Sequence, residues 1–98
     1  IHQDKGEYEK ALEKYNESLE IEEKIGNRSG IALSLGQIGK IKHRQKKYHE
    51  AILALTTAGS LFKELESPYF EMAIKDLGSI KEEIGKDKFK EIMQELEK

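Results

Sequence analysis

The sequence has no cysteine, one proline and only short apolar runs. Without cysteine the chain forms no disulfide and offers no thiolate to a metal, which leaves the compartment open, with the reducing cytoplasm as the default. The apolar runs fall far short of the about 20 residues that a membrane-spanning helix needs, so we expect no membrane partner. A single proline and 37% charged residues favour helices.

Acidic and basic residues are segregated along the chain, although the net charge is only −2. Residues 1–26 carry eight acidic residues and four lysines, whereas residues 27–47 carry six lysines and arginines and no acidic residue. A nucleic-acid-binding surface needs a continuous basic face with interleaved aromatic residues, and here the flanking segments are acidic. We therefore expect no nucleic-acid partner, and predict that the basic segment pairs with neighbouring acidic helices or with an acidic partner.

Two residue patterns recur along the chain with a period of about 40. Tyr8 and Ala11 return 40 residues later as Tyr48 and Ala51. A second pattern lies in the gaps, where three residues return after 39: Leu35, Ile38 and Gly39 as Ile74, Leu77 and Gly78. Interleaved patterns of one period indicate a stacked unit of two helices. We expect helices to approach closely at the small residues of both patterns: Ala11, Ala51, Gly39 and Gly78.

Each unit has the apolar spacing of an amphipathic helix. From Tyr8, apolar residues follow at i+3, i+4, i+7 and i+11, while the opposite face carries Glu and Lys. Turn and capping residues separate the helical stretches: Gly26-Asn27, Ser67-Pro68 and Gly85 with Asp87. These signals predict an all-α chain with a helix end at 1–4 and helices near 7–25, 28–45, 47–66, 68–84 and 88–97.

Two segments carry a family resemblance. Residues 6–12, with the sequence GEYEKAL, and the following Tyr15 and Leu19 resemble the turn and second helix of a tetratricopeptide repeat (TPR). Ile38-Gly39, followed by Tyr48 and Ala51, resembles the core of the next repeat. The period of about 40 residues is similar to that of the subgroup found in kinesin light chain and Pins-type scaffolds. The resemblance implies an α-α superhelix of about two and a half stacked helix-turn-helix repeats.

The resemblance divides the chain into three parts. Residues 1–26 correspond to the second helix of a partial repeat, 27–66 to a complete repeat, and 67–98 to a terminal or capping repeat in which Ile92 replaces the expected small residue. Because the chain begins at Ile1 rather than Met, we expect it to belong to a longer protein. The helix at 7–25 then lacks a neighbour, so we expect its apolar face to bind a second copy, or the fragment to be marginally stable.

The sequence contains no catalytic or metal-binding pattern. The three histidines, His2, His43 and His49, include no pair spaced as in a zinc-protease helix. Neither a nucleophile motif nor a glycine motif for phosphates or dinucleotides occurs. We therefore expect a protein without enzymatic activity and without a cofactor.

The resemblance also implies where a partner binds, because the first helices of such repeats line a concave groove. Helical spacing selects one face of each first helix, which gives as partner-binding residues Leu33, Gln37, Lys40, His43 and Arg44, with Met72, Lys75, Asp76 and Ser79. These imply a scaffold that binds a protein or peptide with acidic residues. Two alternatives stay open: a self-associating or capping segment of a longer array, and the regulatory part of a signalling enzyme or transcription regulator.

Overall fold

Five helices and no strand make up the part of the chain that the structure, a computed structural model, describes, which is residues 5–97. The helices are α1 (Lys5–Ile25), α2 (Arg28–Arg44), α3 (Tyr48–Glu64), α4 (Phe70–Ile84) and α5 (Lys86–Leu96). The predicted all-α fold and all five predicted helices are confirmed, with boundaries that differ by two residues or fewer at every end. The helix end expected at 1–4, and His2 with it, lies outside the described residues.

The first helix boundary is set by the residues that the sequence indicates. Gly26 adopts a φ of +72°, a left-handed conformation that glycine reaches without steric cost and that ends α1. The side-chain Oδ1 of Asn27 accepts a hydrogen bond from the backbone N–H of Gly30 at 3.0 Å. This bond satisfies one of the N–H groups left unpaired at the start of α2. The predicted cap is therefore confirmed.

The start of α4 differs from the prediction. Ser67 closes a turn before the helix, because its Oγ accepts from the backbone N–H of Tyr69 at 3.1 Å and its carbonyl accepts from the N–H of Phe70 at 3.1 Å. Pro68 lies inside this turn, so α4 begins at Phe70 rather than at residue 68. Tyr69 is thereby placed at the N-terminal end of α4, where its side chain is free to face α2.

Consecutive helices pack through three apolar clusters. The first joins α1 and α2 to α3 and centres on Leu12, Ile38, Ile41 and Ala54. The second joins α2, α3 and α4 and centres on Ala32, Ala58, Phe62 and Ala73. The third joins α3, α4 and α5 and centres on Ala51, Ile52, Leu55, Ile80 and Ile92. Burial of these side chains is what holds the stack together, at about 25 cal/mol for each Å² of apolar surface removed from water.

Polar contacts reinforce the α2–α3 hairpin and its junction with α1. The Arg28 guanidinium donates to both carboxylate oxygens of Glu64 at 2.7 Å, which ties the start of α2 to the end of α3. The buried hydroxyl of Ser34 donates to Glu22 of α1 at 2.8 Å. Each contact joins two helices.

Gly39 is the predicted contact point between α2 and α3, and the structure confirms it. A Cβ atom added to Gly39 would lie 2.6 Å from Cγ of Leu55 and 3.4 Å from the backbone oxygen of Ala51. Ala51 itself is fully buried. A glycine costs about 1 kcal/mol relative to alanine inside a helix, and here the close approach of the two helices offsets that cost.

The same prediction is wrong for Gly78. Gly78 is exposed, and a Cβ atom added to it would meet nothing within 4 Å. The reason lies in α5, whose bulky Ile92 stands where α3 has Ala51, and which follows α4 after the single residue Gly85. Instead of lying along α4, α5 packs its apolar face into the third cluster, against α3 as well as α4. Ile74, four residues before Gly78, therefore stays 50% exposed.

The apolar stripe of α1 has a neighbour within the chain. Tyr8, Ala11, Tyr15 and Leu19 all pack against the first cluster, and Leu12 is part of it. The large apolar residues that α1 leaves exposed among those described are Ile21 and Ile25. The apolar face expected to lack a neighbour is thus limited to the last turn and a half of α1.

Candidate functional site

A groove runs between α2 and α4 on one side of the stack. At one end lies a small apolar cleft of about 50 Å³, whose rim is formed by the exposed side chains of Leu33, Tyr69 and Met72. Phe62 and Ala73 form its floor. We refer to this part, together with Gln37 of α2, as the apolar cleft.

The other end of the groove is polar. A depression of about 280 Å³ is lined by Lys40, His43 and Arg44 from α2 and by Asp76 and Ser79 from α4. Lys40 and Asp76 also line the apolar cleft, so they lie where the two parts meet. We refer to this second part as the charged end.

Eight of the nine residues chosen from the sequence line one of these two parts. Met72, Asp76 and Ser79 follow one another at i, i+4 and i+7, which places them on the face of α4 that looks towards α2. Lys75 lines neither part and is exposed on a neighbouring face of α4. The structure thus brings the chosen residues together, and their role in binding stays a prediction.

Tyr69 is the exposed residue of the groove rim that the sequence prediction missed. Its ring centroid lies 5.7 Å from that of Phe62, at an interplanar angle of 44°, an arrangement that aromatic pairs favour. The spacing of Tyr69, three residues before Met72, is the signal that could have placed it on the groove face of α4. The turn closed by Ser67 places Tyr69 at the start of α4, where this spacing puts it on the groove face.

Most basic residues of α2 pair with acidic residues of the later helices. Lys40 Nζ lies 3.8 Å from Asp76 Oδ2, and Lys42 Nζ lies 3.0 Å from Glu50 Oε1. The ammonium of Lys42 lowers the pKa of the Glu50 carboxyl group below its usual value. Pairing of the basic segment with neighbouring acidic helices, one of the two predicted outcomes, is confirmed for these residues.

Glu83 of α4 gathers three side chains from α2, α3 and the turn between them. Nε2 of His43 lies 2.9 Å from its carboxylate, Lys46 donates to it at 2.9 Å, and the Tyr48 hydroxyl donates to it as well. We call these four residues the Glu83 cluster. The donated bonds, that of Tyr48 first, hold the pKa of Glu83 at about 2, well below its ordinary 4.5. The same contacts raise the pKa of Tyr48 and of Lys46.

The Glu83 cluster makes stability depend on pH in a defined direction. A carboxyl group with a lowered folded-state pKa stabilises the fold above its unfolded value, and the effect is lost as pH falls from about 4.5 towards 2. Replacing Glu83 with Gln removes this contribution. We therefore expect the difference in unfolding free energy between wild type and E83Q to shrink as pH falls from about 5 towards 2.

Denaturant unfolding at a series of pH values measures that difference. The matched control is Glu82→Gln, since Glu82 is exposed and makes no ion pair within the described part of the chain. Wild type and E82Q should differ by a nearly constant amount across the series. Parallel stability curves for wild type and E83Q between pH 5 and pH 2 would contradict the role given to Glu83.

Arg44 is the cation of the groove that stays uncompensated. It is exposed at the charged end, and within residues 5–97 it forms no ion pair. Lys40 has only the long contact to Asp76, and His43 faces Glu83. A negatively charged group entering the groove is therefore attracted first to Arg44.

Neither a metal site nor a membrane-spanning helix occurs within residues 5–97. No group of three or more His, Asp or Glu residues in the described ranges is placed to hold a metal ion. None of the five helices, over the same residues, is long and apolar enough to cross a membrane.

Comparison with known proteins gave one family match. A family model described as "Tetratricopeptide repeat" matches residues 1–64, which includes α1, α2 and α3. Neither the search of curated proteins nor the search of solved structures found a match. The matched part ends at the last residue of α3 and contains the α2 side of the groove.

Proposed function

The chain belongs to the tetratricopeptide repeat family, and from that premise we propose that it binds a segment of another protein in the groove between α2 and α4. Repeats of this family generally mediate protein–protein interactions and are typically non-catalytic. The observation that carries the proposal is the groove itself, in which exposed apolar and charged side chains of two helices converge.

The dimensions of the groove favour a peptide over a small molecule. Drug-sized ligands occupy single pockets of roughly 300–1,000 Å³, whereas this groove is divided into a cleft of about 50 Å³ and a depression of about 280 Å³, each below that range. From Leu33 to Arg44 the groove follows α2 for about 16 Å, at 1.5 Å per residue. An extended segment of about five residues covers that length.

The two ends of the groove differ in chemistry, so they favour different residues of such a segment. Apolar atoms of Leu33, Tyr69 and Met72 offer contact at one end, and Arg44 offers a free guanidinium at the other. A carboxylate of the partner placed over Arg44 gains a charge-assisted hydrogen bond. Gln37, between the two ends, has an amide that suits a peptide backbone.

Charge reversal at the groove tests the proposal. In the double variant Lys40→Glu, Arg44→Glu, two cations of α2 become acidic, so a segment with a carboxylate is repelled. We expect the affinity for the partner to fall about tenfold or more. Titration calorimetry with the purified partner measures the change, and circular dichroism checks that the helices are retained.

A matched control separates groove binding from net charge. Lys63→Glu, Lys90→Glu makes the same change of charge on α3 and α5, at exposed residues that line neither part of the groove. The control should bind the partner within about twofold of wild type. If both double variants lose affinity equally, or neither loses any, the groove is not the binding site.

The terminal part of the chain supports a second role for residues 67–98, that of closing the array. The outward residues of α5 are charged or amide side chains, among them Lys86, Lys90, Glu91 and Gln94, and all are exposed. A terminal repeat needs such a polar outer face. Binding of a second copy through α1 stays a prediction for which Ile21 and Ile25 are the available residues, and a molar mass that rises with concentration in sedimentation would favour it.

A further inference from the structure

Asp76 lies at the point in the groove that a carboxylate of a partner would reach. We propose that Asp76 determines the specificity of the groove. Its carboxylate pairs with Lys40 and thereby lowers the affinity of the groove for acidic segments. The inference rests on the proposed function, since it concerns the same groove.

The ion pair between Lys40 and Asp76 lies in the middle of the groove. Lys40 and Asp76 line both the apolar cleft and the charged end. Their side chains are 32% and 29% exposed, so both remain in reach of a bound segment. A peptide that extends from Leu33 towards Arg44 passes directly over this pair.

The contact between Lys40 and Asp76 is long. Nζ of Lys40 and Oδ2 of Asp76 are 3.8 Å apart, which is an ion pair without a hydrogen bond. Such a contact at a partly exposed site stabilises the fold little. Lys40 can therefore turn to another carboxylate at small cost, while Asp76 stays beside it as a second negative charge.

Asp76 makes fewer contacts than Glu83, the other acidic residue of α4 that faces α2. Glu83 accepts from three side chains and is thereby committed to holding α4 against α2 and α3. Asp76 has one long contact and no other described ion pair. Of the two acidic residues that face the basic strip across the groove, Asp76 is the one whose loss changes the charge of the groove without opening the stack.

The expected effect follows from Coulomb's law. A ligand carboxylate held by Lys40 lies several ångströms from Asp76, where repulsion at high effective dielectric changes an equilibrium constant by about three- to tenfold. The effect is screened by salt, because the groove is open to solvent. Neutralising Asp76 should therefore tighten acidic ligands, and most strongly at low ionic strength.

The experiment uses a fluorescein-labelled peptide of six glutamates and the whole chain, with anisotropy measured at about 20 mM salt. Asp76→Asn should bind the peptide about three- to tenfold more tightly than wild type, and the gain should vanish at about 0.5 M salt. Adding Lys40→Met to Asp76→Asn should abolish the gain, because Lys40 is the cation set free.

Glu71→Gln is the matched control, since Glu71 is an exposed acidic residue of α4 that lines neither part of the groove. It makes the same change of net charge and should alter affinity less than twofold. Melting curves of both variants check the fold. Equal affinities for D76N and E71Q, or no measurable binding of the peptide to D76N at low salt, would overturn the inference.

The two proposals fail in distinguishable ways. If charge reversal at Lys40 and Arg44 leaves the natural partner bound as tightly as in wild type, the groove is not the binding site. If that reversal weakens the partner but D76N binds hexaglutamate no better than E71Q does, the groove stands as the site and only the role of Asp76 is wrong.

Discussion

Ile52→Ala is expected to lower the free energy of unfolding by about 2–5 kcal/mol, because it empties a side-chain volume in the third cluster. Ile52 is fully buried, and its neighbours in the cluster come from α3, α4 and α5. A small domain has a total stability of only about 5–15 kcal/mol, so this single change removes a large part of it. Denaturant unfolding followed by circular dichroism measures the loss.

The adjacent residue provides the control. Leu53 is 51% exposed, and Leu53→Ala removes a similar volume from the surface, so its effect should stay within about 0.5 kcal/mol. Helix propensity favours Ile52→Ala slightly more than Leu53→Ala, so it does not explain a larger loss of stability at Ile52. If the two variants lost equal stability, the third cluster would not be the core of the fold.

Alanine at the two repeat glycines is expected to change stability in opposite directions. At Gly39 the new Cβ would lie 2.6 Å from Cγ of Leu55, a clash that pushes α2 and α3 apart and costs about 1–3 kcal/mol. At Gly78 the new Cβ meets nothing within 4 Å, so Gly78→Ala should raise stability by about 0.5–1 kcal/mol through helix propensity alone.

The two variants are informative together because Gly39 and Gly78 hold equivalent positions in the repeat pattern. Thermal melts of the two variants, each against wild type, give the sign directly. A destabilised G78A would mean that a helix lies close against Gly78 in solution, as the repeat pattern predicted, and that α5 packs along α4. A G39A variant more stable than wild type would contradict the close approach of α2 to α3.

Most of the fold could be predicted because its determinants are local. The apolar spacing from Tyr8 fixes which face of α1 is buried, and Asn27 caps α2 through a side chain only three residues from its donor. Gly39 was predictable for a related reason, since the repeat pattern pairs it with the small residue Ala51. These interactions involve a single helix or a hairpin, and such units have few ways to pack.

The direction of α5 could not be predicted, because it depends on contacts between helices far apart in the sequence. Ile92 is an apolar residue in either arrangement, and its pattern does not tell whether it faces α4 alone or α3 as well. The choice is made by the bulk of Ile92 at the interface and by the short connection at Gly85. Gly78 is exposed as a consequence of that choice.

The groove was predictable as a set of positions, but its charge was not. Helical spacing places Lys40, His43 and Arg44 on one face of α2. Which of them keeps a free charge depends on where Asp76 and Glu83 lie on α4, about 40 residues later. Of these three residues, Arg44 is the one that keeps an uncompensated charge among the residues that the structure describes.

The helix α3 contributes side chains to all three apolar clusters: Ala54 to the first, Ala58 and Phe62 to the second, and Ala51, Ile52 and Leu55 to the third. Repeat arrays behave as strings of units coupled only to their neighbours. Here one helix contributes side chains to every cluster, so unfolding α3 disrupts all three of them. We therefore expect the five helices to unfold as one cooperative unit, with a single transition rather than one for each repeat.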